Sequence, residues 1–240
     1  FHDEHLLVIN KPSGLVVNRS RTTKKATLQD FIEQELGSKF FHKIPSPDSE
    51  VGELALQEMR KRAGLIHRLD KDTSGIILIG KTVEAFLIVQ AMFKDREIKK
   101  EYKTLVFGYP EDEHFEVNAP IGRNPSNRLT YAIDKEGKES FTKFELIKRI
   151  KFEEYNLAML AAFPITGRTH QIRVHLKALN LPIVGDVLYS TRKQLEFSKV
   201  HFGRLMLHSH RIMLKHPITD KHMNFEAKLP KVFDSLLQNL

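Results

Sequence analysis

Residues 67–79 read His67-Arg68-Leu69-Asp70-Lys71-Asp72-Thr73-Ser74-Gly75-Ile76-Ile77-Leu78-Ile79. A carboxylate set between Arg68 and Lys71 is followed by three turn-forming residues and then by a short apolar run of the kind that forms a buried strand. Neighbouring positive charge favours the ionised carboxylate, and the turn can hold Asp70 at the start of that strand. Taken alone, an aspartate beside arginine and lysine is ordinarily a solvated pair of little energetic weight. A second dense segment lies a hundred residues on, Gly167-Arg168-Thr169-His170-Gln171-Ile172-Arg173-Val174-His175-Leu176, followed by Leu181-Pro182-Ile183-Val184-Gly185-Asp186. Two such segments together point to a functional site.

With these segments in view, the chain resembles the RluA family of RNA pseudouridine synthases. The family's catalytic motif, HRLD, two variable residues, then TSG, is matched throughout by residues 67–75, and its later GR-[ST]-HQ-[IL]-R-x-H motif by residues 167–175. Leu6-Leu7-Val8-Ile9-Asn10-Lys11-Pro12-Ser13-Gly14-Leu15 is similar to its opening strand and turn. Lys100 to Gly108 is similar to the segment that carries its active-site tyrosine, and Leu207-His208 with His216-Pro217 fits its tail. The resemblance covers nearly the whole chain. Asn18 departs from it, standing where many relatives have histidine.

The resemblance implies an isomerisation without cofactor or metal, in which uracil leaves C1′ of its ribose, rotates and rejoins through C5. Asp70 would supply the carboxylate; attack on C1′, addition to C6 and removal of a C2′ proton all remain open to it. Tyr102 would stack on the flipped uracil with its hydroxyl near the C5 proton, although a tyrosine in a strand is otherwise a core residue. Arg173 matches the arginine that pairs with the catalytic aspartate, and a bidentate guanidinium would keep Asp70 charged and aimed. On a helix over Thr169 to Asn180, His170 and Arg173 share a face, whereas Arg168, near Gly167, is better placed for phosphate. Arg68 would enter the RNA stack where the target has left. His67 braces the loop or meets phosphate. Lys103 and Arg128, in the basic clusters 94–103 and 123–128, complete the expected RNA-binding set.

The composition agrees with a nucleic-acid partner. Among 240 residues, 38 Lys and Arg against 30 Asp and Glu give a formal net charge of +8, which is permissive for any polyanion. Further basic clusters lie at residues 19–25 and 148–151. There is no cysteine, so disulfides, thiolate catalysis and Cys-ligated metals are excluded. The histidines at 208, 210 and 216 lack nearby carboxylates that would complete a metal site, and a structural role is expected for His208. No apolar run of membrane-spanning length and no signal-peptide pattern is present. The expectation is a monomeric cytoplasmic protein acting on RNA, ribosomal before transfer RNA, with no membrane or metal partner. No S4-type RNA-binding segment is visible ahead of the first catalytic strand, and a chain that begins at Phe1 is expected to have lost its start.

Periodicity predicts strands at residues 6–10, 15–18, 76–80, 103–108, 140–150, 156–164, 211–214 and 223–228. Helices are predicted at 27–36, ended by Gly37, and at 53–62, 83–94 and 169–180, with a loop over 37–52 and a basic linker leading to Tyr102. The elements intermix without a strict β-α-β rhythm, so the expected class is α+β, a mixed, mainly antiparallel central sheet flanked by helices and loops, as one catalytic domain over 1–240.

Two other classes answer to the same residues. A hydrolytic nucleosidase or glycosidase would use Asp70 with Asp72 or Asp186 flanking the scissile bond. A non-catalytic RNA-binding or assembly factor would use only the basic surface.

Overall fold

A computed structural model of the chain describes residues 1–20, 23–40 and 50–233. In order, the elements are β1 (Leu6–Lys11), α1 (Leu28–Phe40), α2 (Glu50–Lys61), β2 (Ser74–Gly80), α3 (Val83–Lys94), β3 (Lys99–Phe107), β4 (His114–Asn118) and β5 (Ile121–Arg123). Then follow β6 (Tyr131–Ile133), β7 (Phe141–Phe152), β8 (Tyr155–Pro164), α4 (Gln171–Ala178), α5 (Arg192–His201), β9 (Leu207–Lys215) and β10 (His222–Glu226). The class is α+β with a mainly antiparallel sheet, as expected.

The chain divides into two compact units. The first comprises Phe1–Ile98 and Ile212–Glu226, the second Lys99–Arg211 and the chain from Ala227 on. In the first, β1 pairs antiparallel with β2, Ile9 opposite Ile77 and Lys11 opposite Gly75. Every residue of β2 is buried, which explains its unbroken apolar reading. Fully burying side chains such as Ile76 to Ile79 is worth roughly 1.5–3 kcal/mol each. Helix α3 starts where Thr82 accepts the Ala85 N–H at 3.3 Å and buries Phe86, Val89 and Met92. Its period was legible because cap and apolar stripe agree.

In the second unit β3, β8, β7 and β4 pair antiparallel in that order, with an irregularity between Leu146 and Lys148. Leu105, Phe144, Leu157, Met159 and Leu160 of these strands belong to one buried hydrophobic cluster with Ile172 and Leu176 of α4.

Several local expectations are corrected. Residues 15–18 form no strand; instead the carbonyls of Val16 and Val17 accept the N–H groups of Leu28 and Gln29, so this segment serves the start of α1. Helix α1 continues through Gly37 to Phe40, since a glycine weakens a helix without obliging it to stop. Of the loop expected over 37–52, residues 37–40 and 50–52 are helical, and 41–49 lie outside the described residues, as do Arg21 and Thr22 of the first basic cluster. The supposed basic linker is the first part of β3, which begins at Lys99.

Candidate active site

In the first unit Asp70 sits, half-buried, on the loop that runs into β2, anchored by the buried Leu69 before it and the buried Thr73 and Ser74 after it. The Lys11-Pro12-Ser13-Gly14 turn clamps this loop from its own chain. Lys11 is 1% exposed, and its ammonium donates to the carbonyls of Pro12 at 2.8 Å, Leu15 at 2.9 Å and Lys71 at 2.9 Å. The Gly14 N–H also donates to Lys71 O, at 2.9 Å, and Ser13 Oγ to Asp72 O, at 2.6 Å. A buried cation is tolerated because its three donors find three acceptors. Gly75, the second residue of β2, takes φ 116°, a conformation that admits glycine, opposite Lys11.

His67 is half-buried; its Nε2 accepts the Leu78 N–H at 3.0 Å and its ring lies 4.8 Å from that of Phe93. That is the bracing role, and it commits one ring nitrogen to the backbone. Arg68, two residues before Asp70, is exposed.

In the second unit Tyr102 is partly buried on β3, packed against the core and opposite Ala162 of β8. Strand alternation puts Lys100, Tyr102 and Thr104 on one face. The Lys100 ammonium lies 3.5 Å from the Thr166 carbonyl, and burial pushes its pKa down to about 8. On the other face Glu101, 6% exposed, accepts from Lys103 at 2.7 Å and from Arg211 at 3.2 Å. Lys103, expected on RNA, is thus paired with a buried carboxylate.

The Gly167–Gln171 loop is built around the Gln171 side chain. Its oxygen accepts from Thr166 Oγ1 at 2.7 Å and the Arg168 N–H at 2.9 Å, while its nitrogen donates to Phe141 O and Thr142 Oγ1, each at 3.0 Å. Arg168 is exposed, with Nε donating to Glu139 O at 3.1 Å. His170 is left-handed at φ 58° and precedes α4, which corrects the expectation that it shares a helix face with Arg173. Its Nδ1 meets Tyr189 Oη at 2.9 Å instead.

Arg173 is 6% exposed and grips Asp186 with both prongs, Nε to Oδ2 at 2.7 Å and Nη2 to Oδ1 at 2.8 Å. The Tyr189 ring centroid lies 5.1 Å from the guanidinium carbon. Asp186 is 1% exposed and also accepts the Leu188 N–H at 3.0 Å. Gly185, at φ 79°, lets the chain pass against the Arg204 carbonyl, where a Cβ would collide. Sequence reasoning entertained Asp186 only as a second hydrolytic carboxylate and missed it as the partner of Arg173; the apolar Ile183-Val184-Gly185 before it was the available sign that it is buried.

Arg128 is exposed between β5 and β6, and its carbonyl accepts from Arg123 at 3.0 Å. His208 is fully buried, its Nε2 3.4 Å from Ala227 O, and burial lowers its pKa to about 4. Among the described residues no group of three or more His, Asp or Glu could hold a metal ion, and no helix is long and apolar enough to cross a membrane.

The selected residues therefore fall on both units: His67, Arg68 and Asp70 on the first, and Tyr102, Lys103, Arg128, Arg168 and Arg173 on the second. A braced loop presents a carboxylate; a strand carries a phenol on the same face as Lys100, whose pKa burial pushes down to about 8. Such groups suit proton transfer and charge stabilisation rather than nucleophilic thiol or metal chemistry.

Residues 5–178 match the family model described as RNA pseudouridylate synthase. The chain belongs to this family. Similar pseudouridine synthases include the ribosomal large subunit pseudouridine synthase D of Zymomonas mobilis, 33% identical over 100% of this chain and 71% of that protein. The ribosomal large subunit pseudouridine synthase C of Vibrio vulnificus is 34% identical over 100% and 68%. An uncharacterised RNA pseudouridine synthase of Helicobacter pylori is 36% identical over 96% of this chain and 66% of its own length, so the chain spans roughly two-thirds of these relatives. Among solved structures, human RNA pseudouridylate synthase domain containing 1 superposes with a TM-score of 0.70 at 23% identity, covering 97% of this chain and 84% of that one. Human RNA pseudouridylate synthase domain containing 4 gives 0.69 at 24%, covering 99% and 90%. Both share the pseudouridine synthase fold.

Proposed function

We propose that the chain isomerises specific uridines of ribosomal RNA to pseudouridine, with its two units acting as one catalytic domain. The observation that carries this reading is the matched HRLD loop, whose Asp70 is held by the Lys11 clamp and the His67 brace within a family match that runs through both units. Ribosomal RNA is favoured over transfer RNA by relatives named for the large ribosomal subunit.

In this reading the C1′–N1 bond of the target breaks, a C1′–C5 bond forms, the C5 proton leaves and N1 gains one, so nothing is added and no cofactor or metal is required. Asp70 supplies the anion and Tyr102 stacks on the detached ring and assists the C5 proton. Arg173 is, by the family match, the arginine that serves the catalytic aspartate. Its fork on Asp186 uses two of five guanidinium N–H groups and fixes the plane of the guanidinium. Arg68 fills the gap left by the flipped base; Arg128 and Arg168 contact phosphate, and His67 and Lys103 support the RNA surface through the groups they brace. The protein works as a cytoplasmic monomer.

Hydrolysis with Asp186 as second carboxylate is disfavoured, because both Asp186 oxygens are committed to Arg173 and the group is buried away from water. The direct test incubates the protein and its Asp70→Asn variant with unmodified ribosomal and transfer RNA transcripts and maps pseudouridine at nucleotide resolution. Asp70-dependent pseudouridine at defined ribosomal positions is expected. Release of free uracil would point to the hydrolase, and binding without any modification to an assembly factor.

A further inference from the structure

The second unit carries a groove of about 490 Å³, walled by the β5–β6 hairpin on one side and by α4 and the start of α5 on the other. None of the residues given a chemical role above lines it, and its volume lies in the range of small-molecule sites, roughly 300–1,000 Å³. Its apolar floor includes Leu188 and Ile133, the latter 40% exposed. Asn124 and Asn127 line the hairpin side. Asn124 Oδ1 accepts the Ser126 N–H at 2.9 Å and Asn127 Oδ1 the Leu129 N–H at 3.1 Å, so each amide is fixed by its oxygen and has its Nδ2 donors to offer. Lys177 is an exposed cation on the opposite wall, and no carboxylate lines the groove. Exposed Arg123 and Arg128 flank it on the hairpin.

Apolar side chains, fixed amide donors and a lysine with no carboxylate among the described lining residues complement a ligand that has an apolar face, is rich in acceptors and is anionic. We infer that this groove holds one unpaired nucleotide of the substrate RNA, other than the target uridine, with its base on the Ile133–Leu188 floor and its phosphate at Lys177. The inference rests on the reading of the chain as an RNA-modifying enzyme. It also gives the nucleotide a route to the chemistry. Tyr189 lines the groove, while its ring lies against Arg173 at 5.1 Å and its hydroxyl joins His170 Nδ1 at 2.9 Å and the Tyr131 N–H at 2.8 Å. An occupant pressing on Tyr189 therefore steadies the stacked face of Arg173, so occupancy serves turnover as well as affinity.

The experiment measures the dissociation constant for a large-subunit ribosomal RNA transcript, and the single-turnover rate of pseudouridine formation in it. It compares the intact protein with Ala178→Trp, which fills the groove from its exposed rim, with Lys177→Glu, and with Lys199→Glu, a same-sized charge change on an exposed lysine outside the groove. Exclusion of the base predicts about tenfold weaker binding for Ala178→Trp, reversal of the charge that meets its phosphate predicts a loss of similar order for Lys177→Glu, and both should slow the rate at saturating RNA. Lys199→Glu should stay within about twofold of the parent, since it removes only diffuse attraction. Equal affinities for Lys177→Glu and Lys199→Glu overturn the inference, and this comparison stands even if Ala178→Trp fails to fold by circular dichroism. Absence of pseudouridine with the unmodified protein refutes the functional reading instead, while the binding comparison still judges the groove.

Discussion

Arg173 and Asp186 form a two-pronged, nearly solvent-free ion pair, 2.7 and 2.8 Å long, with the carboxylate fully buried. Breaking one partner of such a pair leaves an uncompensated buried charge and costs about 3–5 kcal/mol. Asp186→Asn should lower stability by that order and also reduce turnover, because Arg173 loses the contact that sets its plane. Urea unfolding together with single-turnover assays checks this; full activity with unchanged stability would mean that the pair is dispensable.

Removing the carboxylate at position 70 should abolish pseudouridine formation and leave RNA affinity within about threefold, because its contribution is to the transition state. Tyr102→Phe keeps the ring and loses the hydroxyl. Its rate should fall by about 10²-fold or more if that hydroxyl moves the C5 proton, with binding retained. Rapid-quench kinetics beside equilibrium binding separates the two effects, and a Tyr102→Phe enzyme that turns over normally removes the hydroxyl from the chemistry.

Lys11 binds three carbonyls, one of them Lys71 O, from a position 1% exposed to solvent. Replacing it by methionine leaves those acceptors short of a donor at about 1–3 kcal/mol for each one that stays dry. Lys11→Met should therefore destabilise the fold and speed amide hydrogen exchange in residues 12–15 and 71–74. Exchange rates identical to the parent would show that the clamp is not what holds the Asp70 loop.

Two buried histidines give the stability a pH dependence. Burial lowers the pKa of His208 to about 4 and lowers that of His175 as well, whereas both titrate near 6.5 when the chain is unfolded. Between about pH 6.5 and 4 the unfolded chain takes up protons that the folded chain refuses. Stability is complete above that window and declines as pH falls through it, by about 1–3 kcal/mol. Unfolding midpoints at pH 7 and pH 4.5 should differ accordingly, and His208→Gln should flatten the slope; a parent midpoint that does not move refutes the linkage.

Arg128 is exposed on the hairpin turn, and the proposed function gives it a phosphate contact. Arg128→Ala should weaken binding uniformly across sequences and lower the slope of log affinity against log salt by about one, with the rate at saturating RNA unchanged. A sequence-selective loss would indicate base contact instead.

The sequence was most legible where local signals agree with tertiary burial. The apolar run 76–80 read correctly as strand, although β2 begins two residues earlier, at Ser74, within the stretch read as turn, and the capped α3 was placed at its true limits, Val83–Lys94. Legibility failed where a partner is chosen in three dimensions. The acceptance of the Leu28 and Gln29 N–H groups by Val16 and Val17 looks, in one dimension, like a second strand. The three-residue strands β5 and β6 carry too few residues for a period to register. The union of Arg173 with Asp186 spans thirteen residues and a turn, so charge counting could not choose it over other carboxylates. The pairing of Lys103 with the buried Glu101 becomes visible only once the alternation of β3 is in place.

The first unit is assembled from separated stretches of chain. Asp3 meets His216 at 3.0 Å, and the Phe1 ring lies 5.1 Å from that of Phe225, although the strands β3 to β8 lie between them in sequence. During synthesis, therefore, the stretch bearing Asp70 emerges long before the residues that finish its own unit, and it must wait while the second unit is made. A nascent chain halted after β8 would carry the whole catalytic loop and still lack Ile212–Glu226. The first unit can thus be completed only after Lys99–Arg211 of the second has been made, and no single proteolytic cut can release it whole.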